Sequence, residues 1–177
     1  GVSMSRVMLL TRQFPPTFGG IQAFMYAVYS RVGDEVIVIA HNDTDSVAFD
    51  RQQSFQIHRP PSFLRFLRGE KAPLIPMFLV ALRRMLGSNI GQVHCDQVKT
   101  GFLAYIMKCL FGKPYAVWAH GLEVRNNRWT YLKRLVYRNA AVVIANGLQT
   151  KRIVNGLGVS EENVAVIRPG VDVHRFN

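Results

Sequence analysis

Apolar residues in this chain come as short unbroken runs, separated by stretches where they recur every three or four positions. The first run, Arg6 to Thr11 (RVMLLT), has the length of a strand, and no polar residue alternates with its apolar ones, as in strands buried on both faces. A Pro-Pro turn and Gly19-Gly20 follow, and then Ile21, Phe24, Met25, Val28 and Val32 recur at helical spacing. The alternation continues to the end. Strands are predicted at Glu35–Ala40, more weakly at Phe55–His58, then at Gln92–Cys95, Lys113–Ala119, Ala141–Ala145 and Glu162–Ile167. Helices are predicted at Met77–Leu86, at Trp129–Arg138 and at Leu148–Leu157. Another is predicted with Val98, Phe102, Tyr105, Ile106, Cys109 and Leu110 along its apolar side. Strands alternating with helices require right-handed crossovers, hence an α/β fold: a doubly wound, mostly parallel sheet with helices on both faces.

In such sheets ligands bind beyond the carboxyl ends of the strands, which singles out two loops, Gln13–Ile21 and Ala119–Glu123. In the first, Gly19 and Gly20 allow close backbone approach, and the opening amides of the helix are unpaired donors suited to phosphate. A tight turn that needed two small residues fits the same pattern. In the second, His120 leaves a buried strand and Gly121 permits a sharp exit; a histidine there can donate to a substrate hydroxyl or carbonyl, or be capped by backbone. His94-Cys95-Asp96 is the one dense cluster of metal-ligand types, but neighbours along a strand point to opposite faces, so it reads as structural and no metal site is expected.

With 177 residues the chain can hold one substantial α/β domain. Its 22 Lys and Arg against 11 acidic residues leave a net charge of +11, which favours an anionic partner without choosing among nucleotide, lipid surface and nucleic acid. Cys95 and Cys109 form no CxxC pair, and a reduced, cytoplasmic setting follows more simply than a disulfide framework. Gly1 to Ser5 reads as a polar remnant ahead of the domain, with no secretory signal. The longest apolar run, Ala72 to Leu82, is about half a bilayer span. A nicotinamide oxidoreductase would show G-x-G-x-x-G after the first strand, and a P-loop ATPase its G-x-x-x-x-G-K-[ST]; neither occurs. The cations are spread over several elements without a nucleic-acid motif, which leaves a basic nucleic-acid-binding domain as the weaker alternative and predicts no nucleic-acid partner.

Four segments occur in order: FPPTFGGIQAF, KPYAVWAHGLEV, AAVVIANG and ENVAVIRPGVDVHRF. Together they resemble the amino-terminal, Rossmann-like domain of the retaining GT-B glycosyltransferases of family 4. The chain departs from the family pattern at Pro169-Gly170, usually Asn-Gly, and at Ala140 or Ala141, usually Asp before the strand. The resemblance implies that residues 6–168 form an acceptor-side domain and that 169–177 begin the crossing to a carboxyl-terminal, donor-binding domain. It implies His120 beside the transferred sugar as the catalytic residue. It puts Gly19, Gly20, Gln22, Gly121 and Glu123 at the substrate and its diphosphate, although Glu123 also reads as a plain loop acid. A nucleotide-sugar donor, a glycan or lipid-linked acceptor, no cofactor or metal, and little activity in this half alone are the further expectations. A separate, non-catalytic acceptor-binding subunit is the other reading.

Ser62 to Leu86 mixes aromatic and aliphatic residues with arginines. Phe63, Arg65, Phe66, Leu67, Arg68 and Lys71 are candidates for peripheral contact with an anionic membrane, and a helix packed on the sheet is the competing reading for the later part. Acceptor choice is expected in loops such as Asp43–Arg51 and Ser62–Lys71. A second basic group, Arg125, Arg128, Lys133, Arg134 and Arg138, reads as a phosphate-steering or solvated helix face.

Overall fold

The structure is a computed structural model and describes residues 5–43, 45–61 and 74–170. Seven strands are described: β1 (Arg6–Thr11), β2 (Val36–Ala40), β3 (Gln56–His58), β4 (Ile90–Cys95), β5 (Tyr115–Ala119), β6 (Val142–Ala145) and β7 (Val164–Val166). They form one sheet in the order β3-β2-β1-β4-β5-β6-β7, parallel throughout. The described helices are α1 (Gly20–Tyr29), α2 (Ser46–Asp50), α3 (Leu74–Gly87), α4 (Val98–Phe111), α5 (Gly121–Arg125), α6 (Thr130–Asn139) and α7 (Leu148–Gly156). The α/β, doubly wound class expected from the alternation is what the chain adopts.

Alternate residues of each strand feed two cores. Met8, Leu10, Ile37, Ile39, Val93 and Cys95 face α3, α4, α6 and α7, whereas Leu9, Val36, Val38 and Trp118 face α1. His94 lies opposite Cys95, on the α1 side, where its Nδ1 meets the Tyr29 hydroxyl at 2.8 Å and Trp118 Nε1 donates to that hydroxyl at 3.0 Å. Burial holds His94 neutral, with its pKa pushed down to about 4. Among the described residues no helix is long and apolar enough to cross a membrane.

Several expected features are corrected. The first helix stops at Tyr29, so Val32 is exposed beyond it. The chain turns there through Gly33 at φ +65°, a backbone region that suits glycine. Residues 46–50, expected within a loop, are α2. The last strand is shortened by a 3-10 turn at Glu161–Asn163.

The largest correction concerns α4, which buries Val98, Thr100, Gly101, Leu103, Ala104 and Met107. Phe102, Cys109 and Leu110, from the expected apolar side, are exposed. Close packing is the reason. A Cβ on Gly101 would stand 2.5 Å from Val136 Cγ1 of α6, so small residues face inward where two helices and the sheet converge.

Candidate active site at the carboxyl ends of the strands

The winding of the sheet reverses between β1 and β4, so the crevice at their carboxyl ends is its topological switch point. Asp96, the residue after β4, joins the two sides. Its buried carboxylate accepts from Thr11 Oγ1 at 2.8 Å, the Arg12 amide at 3.1 Å, the Gln13 amide at 3.3 Å and Thr100 Oγ1 at 2.7 Å. Burial raises the affinity of Asp96 for a proton, and the bonds from Thr100, Thr11 and Arg12 oppose that shift.

The loop after β1 is anchored from below and from the side. Phe14 is buried among Tyr26, Phe49 and Phe55, with edge-on ring centroids 6.0, 6.5 and 6.3 Å away. Arg59 forks onto Asp50 at 2.8 and 2.9 Å and also donates to the Pro15 carbonyl at 2.6 Å. The anchored loop delivers Gly19 as the N-cap of α1 in extended conformation, with no side-chain cap bond and no acid in the first turn. The opening amides of α1 therefore keep their donors unmatched by any side-chain cap. Gly20 has open space where a Cβ would stand, whereas at Gly19 a Cβ would meet the flexible Gln22 side-chain oxygen at 2.4 Å.

On the other flank β5 ends at Ala119 and His120 is the N-cap of α5. Gly121 opens that helix, so the chain passes from strand to helix across His120 alone; the exit needs no left-handed turn at Gly121. A Cβ there would meet Thr150 Oγ1 of α7 and Asn146 Oδ1, just past the end of β6. The His120 ring is half-buried, and its Nε2 is shielded with no hydrogen-bond partner among the described residues. Burial lowers its proton affinity, opposed by the charge of Asp96 and a bond to the Asp96 backbone. At neutral pH the imidazole is neutral.

Glu123, one turn along α5, points back beneath the loop. Its Oε1 accepts from the Val98 amide, the first of α4, at 2.7 Å, while Oε2 is buried without a partner among the described residues. Burial is the main cause of a pKa pushed up to about 7. Lys133, expected on a basic face, is buried instead; its Nζ donates to the carbonyls of Val124 and Asn126 and braces the end of α5. The structure thus brings His120, Gly121 and Glu123 together on one flank of the switch point, and Gly19, Gly20 and Gln22 on the other. Asp96, read from the sequence as structural, ties the flanks together; its signal was an acid directly after a strand, four residues before a threonine. The membrane candidates Phe63, Arg65, Phe66, Leu67, Arg68 and Lys71 lie outside the described residues, as do 171–177 of the expected crossing.

A seven-stranded parallel sheet of this order, with its site at the switch point, is a Rossmann-like domain. Solved structures share it across low identity. Anabaena Alr3699/HepE in complex with UDP superposes with a TM-score of 0.71 at 16% identity, over 96% of this chain and 45% of that one. UDP-GlcNAc 2-epimerase from Methanocaldococcus jannaschii gives 0.63 at 13%, over 93% and 45%. The lipopolysaccharide outer core galactosyltransferase WaaB in its apo form gives 0.61 at 13%, over 94% and 46%. The chain spans less than half the length of each of these three, and corresponds to the amino-terminal half of the GT-B fold. The sequence profile of Glycosyltransferase Family 4 matches residues 19–175, and the chain belongs to that family. No curated protein matches the sequence.

Proposed function

We propose that this domain is the acceptor-side half of a retaining glycosyltransferase that moves a hexose from a nucleotide-sugar to a glycan or lipid-linked acceptor. The observation that carries the reading is the joining of two half-sites across the switch point. Uncapped amides of α1 stand on one side and a neutral histidine, its Nε2 unpartnered among the described residues, on the other; Asp96 bonds the Arg12 and Gln13 amides of the loop that leads to α1, and its charge acts on His120. Family membership supports it, as do the UDP bound by Anabaena HepE and the galactosyltransferase activity in the name of WaaB.

Charge grows on the leaving diphosphate during transfer, and the α1 amides at Gly20, Ile21 and Gln22 offer donors to it without needing a cation. His120 holds the sugar. Its Nε2 makes no hydrogen bond among the described residues, which leaves that nitrogen's hydrogen-bonding capacity for a sugar hydroxyl. Gly20, with open space around it, admits the ligand close to the backbone. Glu123 shapes the loop by holding the first amide of α4. A donor-binding second half completes the cleft in this reading, and neither metal nor cofactor is invoked.

The test uses the complete reading frame that encodes this chain, with donor consumption followed in the presence of UDP-sugars. His120→Ala should lower turnover at least 100-fold while leaving the melting temperature within about 2 °C of the parent, as expected for a positioned acid–base or hydrogen-bonding group. Unchanged turnover removes His120 from the reaction centre.

A further inference from the structure

Two buried oxygens near the His120 loop make no hydrogen bond among the described residues: Oε2 of Glu123 on α5 and the hydroxyl of Tyr137 on α6. Tyr137 is fully buried, in the core that also takes Cys95, Val124 and Val136. A buried polar oxygen without a partner is strongly unfavourable, and native cores seldom keep one. Two of them on adjoining elements point to one shared partner.

The packing of α5 against α6 sets them close. Lys133 and Tyr137 are four residues apart and both buried, so they occupy one inward side of α6. Lys133 Nζ donates to the carbonyls of Val124 and Asn126, just past Glu123 in the chain. Glu123 gives its other oxygen to the Val98 amide, three residues beyond Cys95. Glu123 and Cys95 are the groups whose charge acts on the Tyr137 hydroxyl, and Glu123 also acts on Cys95, so the three lie close together in the core. The Cys95 thiol donates to the Ala116 carbonyl at 3.3 Å, which leaves its sulfur as a weak acceptor.

We infer that one buried water bridges the Tyr137 hydroxyl to Glu123 Oε2, and that Tyr137 through this bridge is a positioning residue for the loop that carries His120. No direct bond joins the two oxygens, whereas a water finds what it needs there: a donor in Tyr137, an acceptor in Glu123 and the Cys95 sulfur as a third contact. The contacts then run from Tyr137 through the water to Glu123 and on to the Val98 amide. They pin α5, a five-residue helix whose N-cap His120 makes no side-chain cap bond. Its place therefore depends on Glu123 beneath it and Lys133 behind it. The assignment rests on the glycosyl-transfer reading only in taking His120 as the group to be positioned.

The test is an NMR titration of the complete protein, labelled with carbon-13 at the glutamate carboxyls and the histidine rings. One carboxyl should titrate near pH 7, where burial has pushed Glu123, and its signal should vanish in Glu123→Gln. Asp96 at the end of β4, Lys133 of α6 and Lys99 of α4 also act on that carboxyl, and Tyr137→Phe alters none of them. A bond donated through the water favours the charged carboxyl, so Tyr137→Phe should raise the midpoint by at least half a pH unit. The His120 ring signals should report the same midpoint and move with it. A midpoint that stays or falls overturns the bridge, and His120 signals blind to the Glu123 titration overturn the positioning role. A mere loss of packing would lower the melting temperature without moving the midpoint. A crystal structure needs no variant: one water within about 3 Å of both oxygens is expected, and direct contact between them, or no water, refutes the bridge. None of these readouts involves sugar transfer. If His120→Ala leaves turnover unchanged while the midpoint moves, the transferase role of His120 falls and the bridge stands. If turnover collapses while the midpoint stays, the bridge falls alone.

Discussion

Replacing Asp96 with alanine removes the acceptor for four donors at once, and the structure allows the cost to be worked out donor by donor. The Gln13 amide retains Thr11 Oγ1 at 3.0 Å, and Thr100 Oγ1 retains the Gln97 carbonyl at 3.0 Å. The Arg12 amide and the Thr11 hydroxyl lose the only acceptor they have among the described residues. Each stranded donor costs about 1–3 kcal/mol, or about 2–6 kcal/mol together. Relief from burying a carboxylate trims that sum, and we expect about 3 kcal/mol. Asp96→Asn keeps an oxygen toward Thr11, Arg12 and Gln13, and its amide can donate to a rotated Thr100 hydroxyl, so it should cost about 1 kcal/mol. Urea unfolding followed by circular dichroism measures both; in a melt the alanine variant should fall by about 6–12 °C. An alanine cost below about 1 kcal/mol, or equal costs for alanine and asparagine, would refute the view that this carboxylate holds the β1 turn through its acceptors.

Two other predictions concern the frame of the site. Gly101→Ala gains up to about 1 kcal/mol of helix propensity but forces a methyl to 2.5 Å from Val136, and overpacking costs about 1–3 kcal/mol, so the net change should be a lower melting temperature. A raised melting temperature would show that α4 and α6 separate easily. Glu123 has a folded pKa of about 7, above the usual 4.5, so its neutral form is favoured in the native state. Stability contributed by that group is present below about pH 4.5 and is lost as pH rises to about 7. Glu123→Gln, which still accepts from Val98, should match the parent near pH 4.5 and be the more stable of the two at pH 8. A difference that does not vary with pH would mean that the carboxyl is not held neutral.

The periodicities located most of the elements to within a residue or two, because a run of apolar residues and a three-to-four spacing are read from neighbours in the chain. Gly19-Gly20 and His120 were likewise visible, since loops after strands are where such sheets bind ligands. Three features were not. The stripe Phe102, Ile106 and Leu110 is the most apolar side of α4 by spacing, yet the inward side is the one small enough to fit against Val136. Lys133 reads as a surface cation, but it is covered once α5 folds over it and supplies two carbonyls. Asp96 and Glu123 take their roles from Thr11, Arg12 and Val98, residues 25 or more positions away.

By itself, then, the sequence determined the alternation of strands and helices, the parallel α/β class and the two loops at the carboxyl edge. Those depend on local spacing and on the hydrophobicity of short segments. The tertiary structure decided that β4 lies between β1 and β5, that Asp96 therefore stands between the two loops, and that an apolar wall of α4 faces outward beside them. Strand order and helix rotation are set by how distant segments fill space against each other, and no local pattern carries that information.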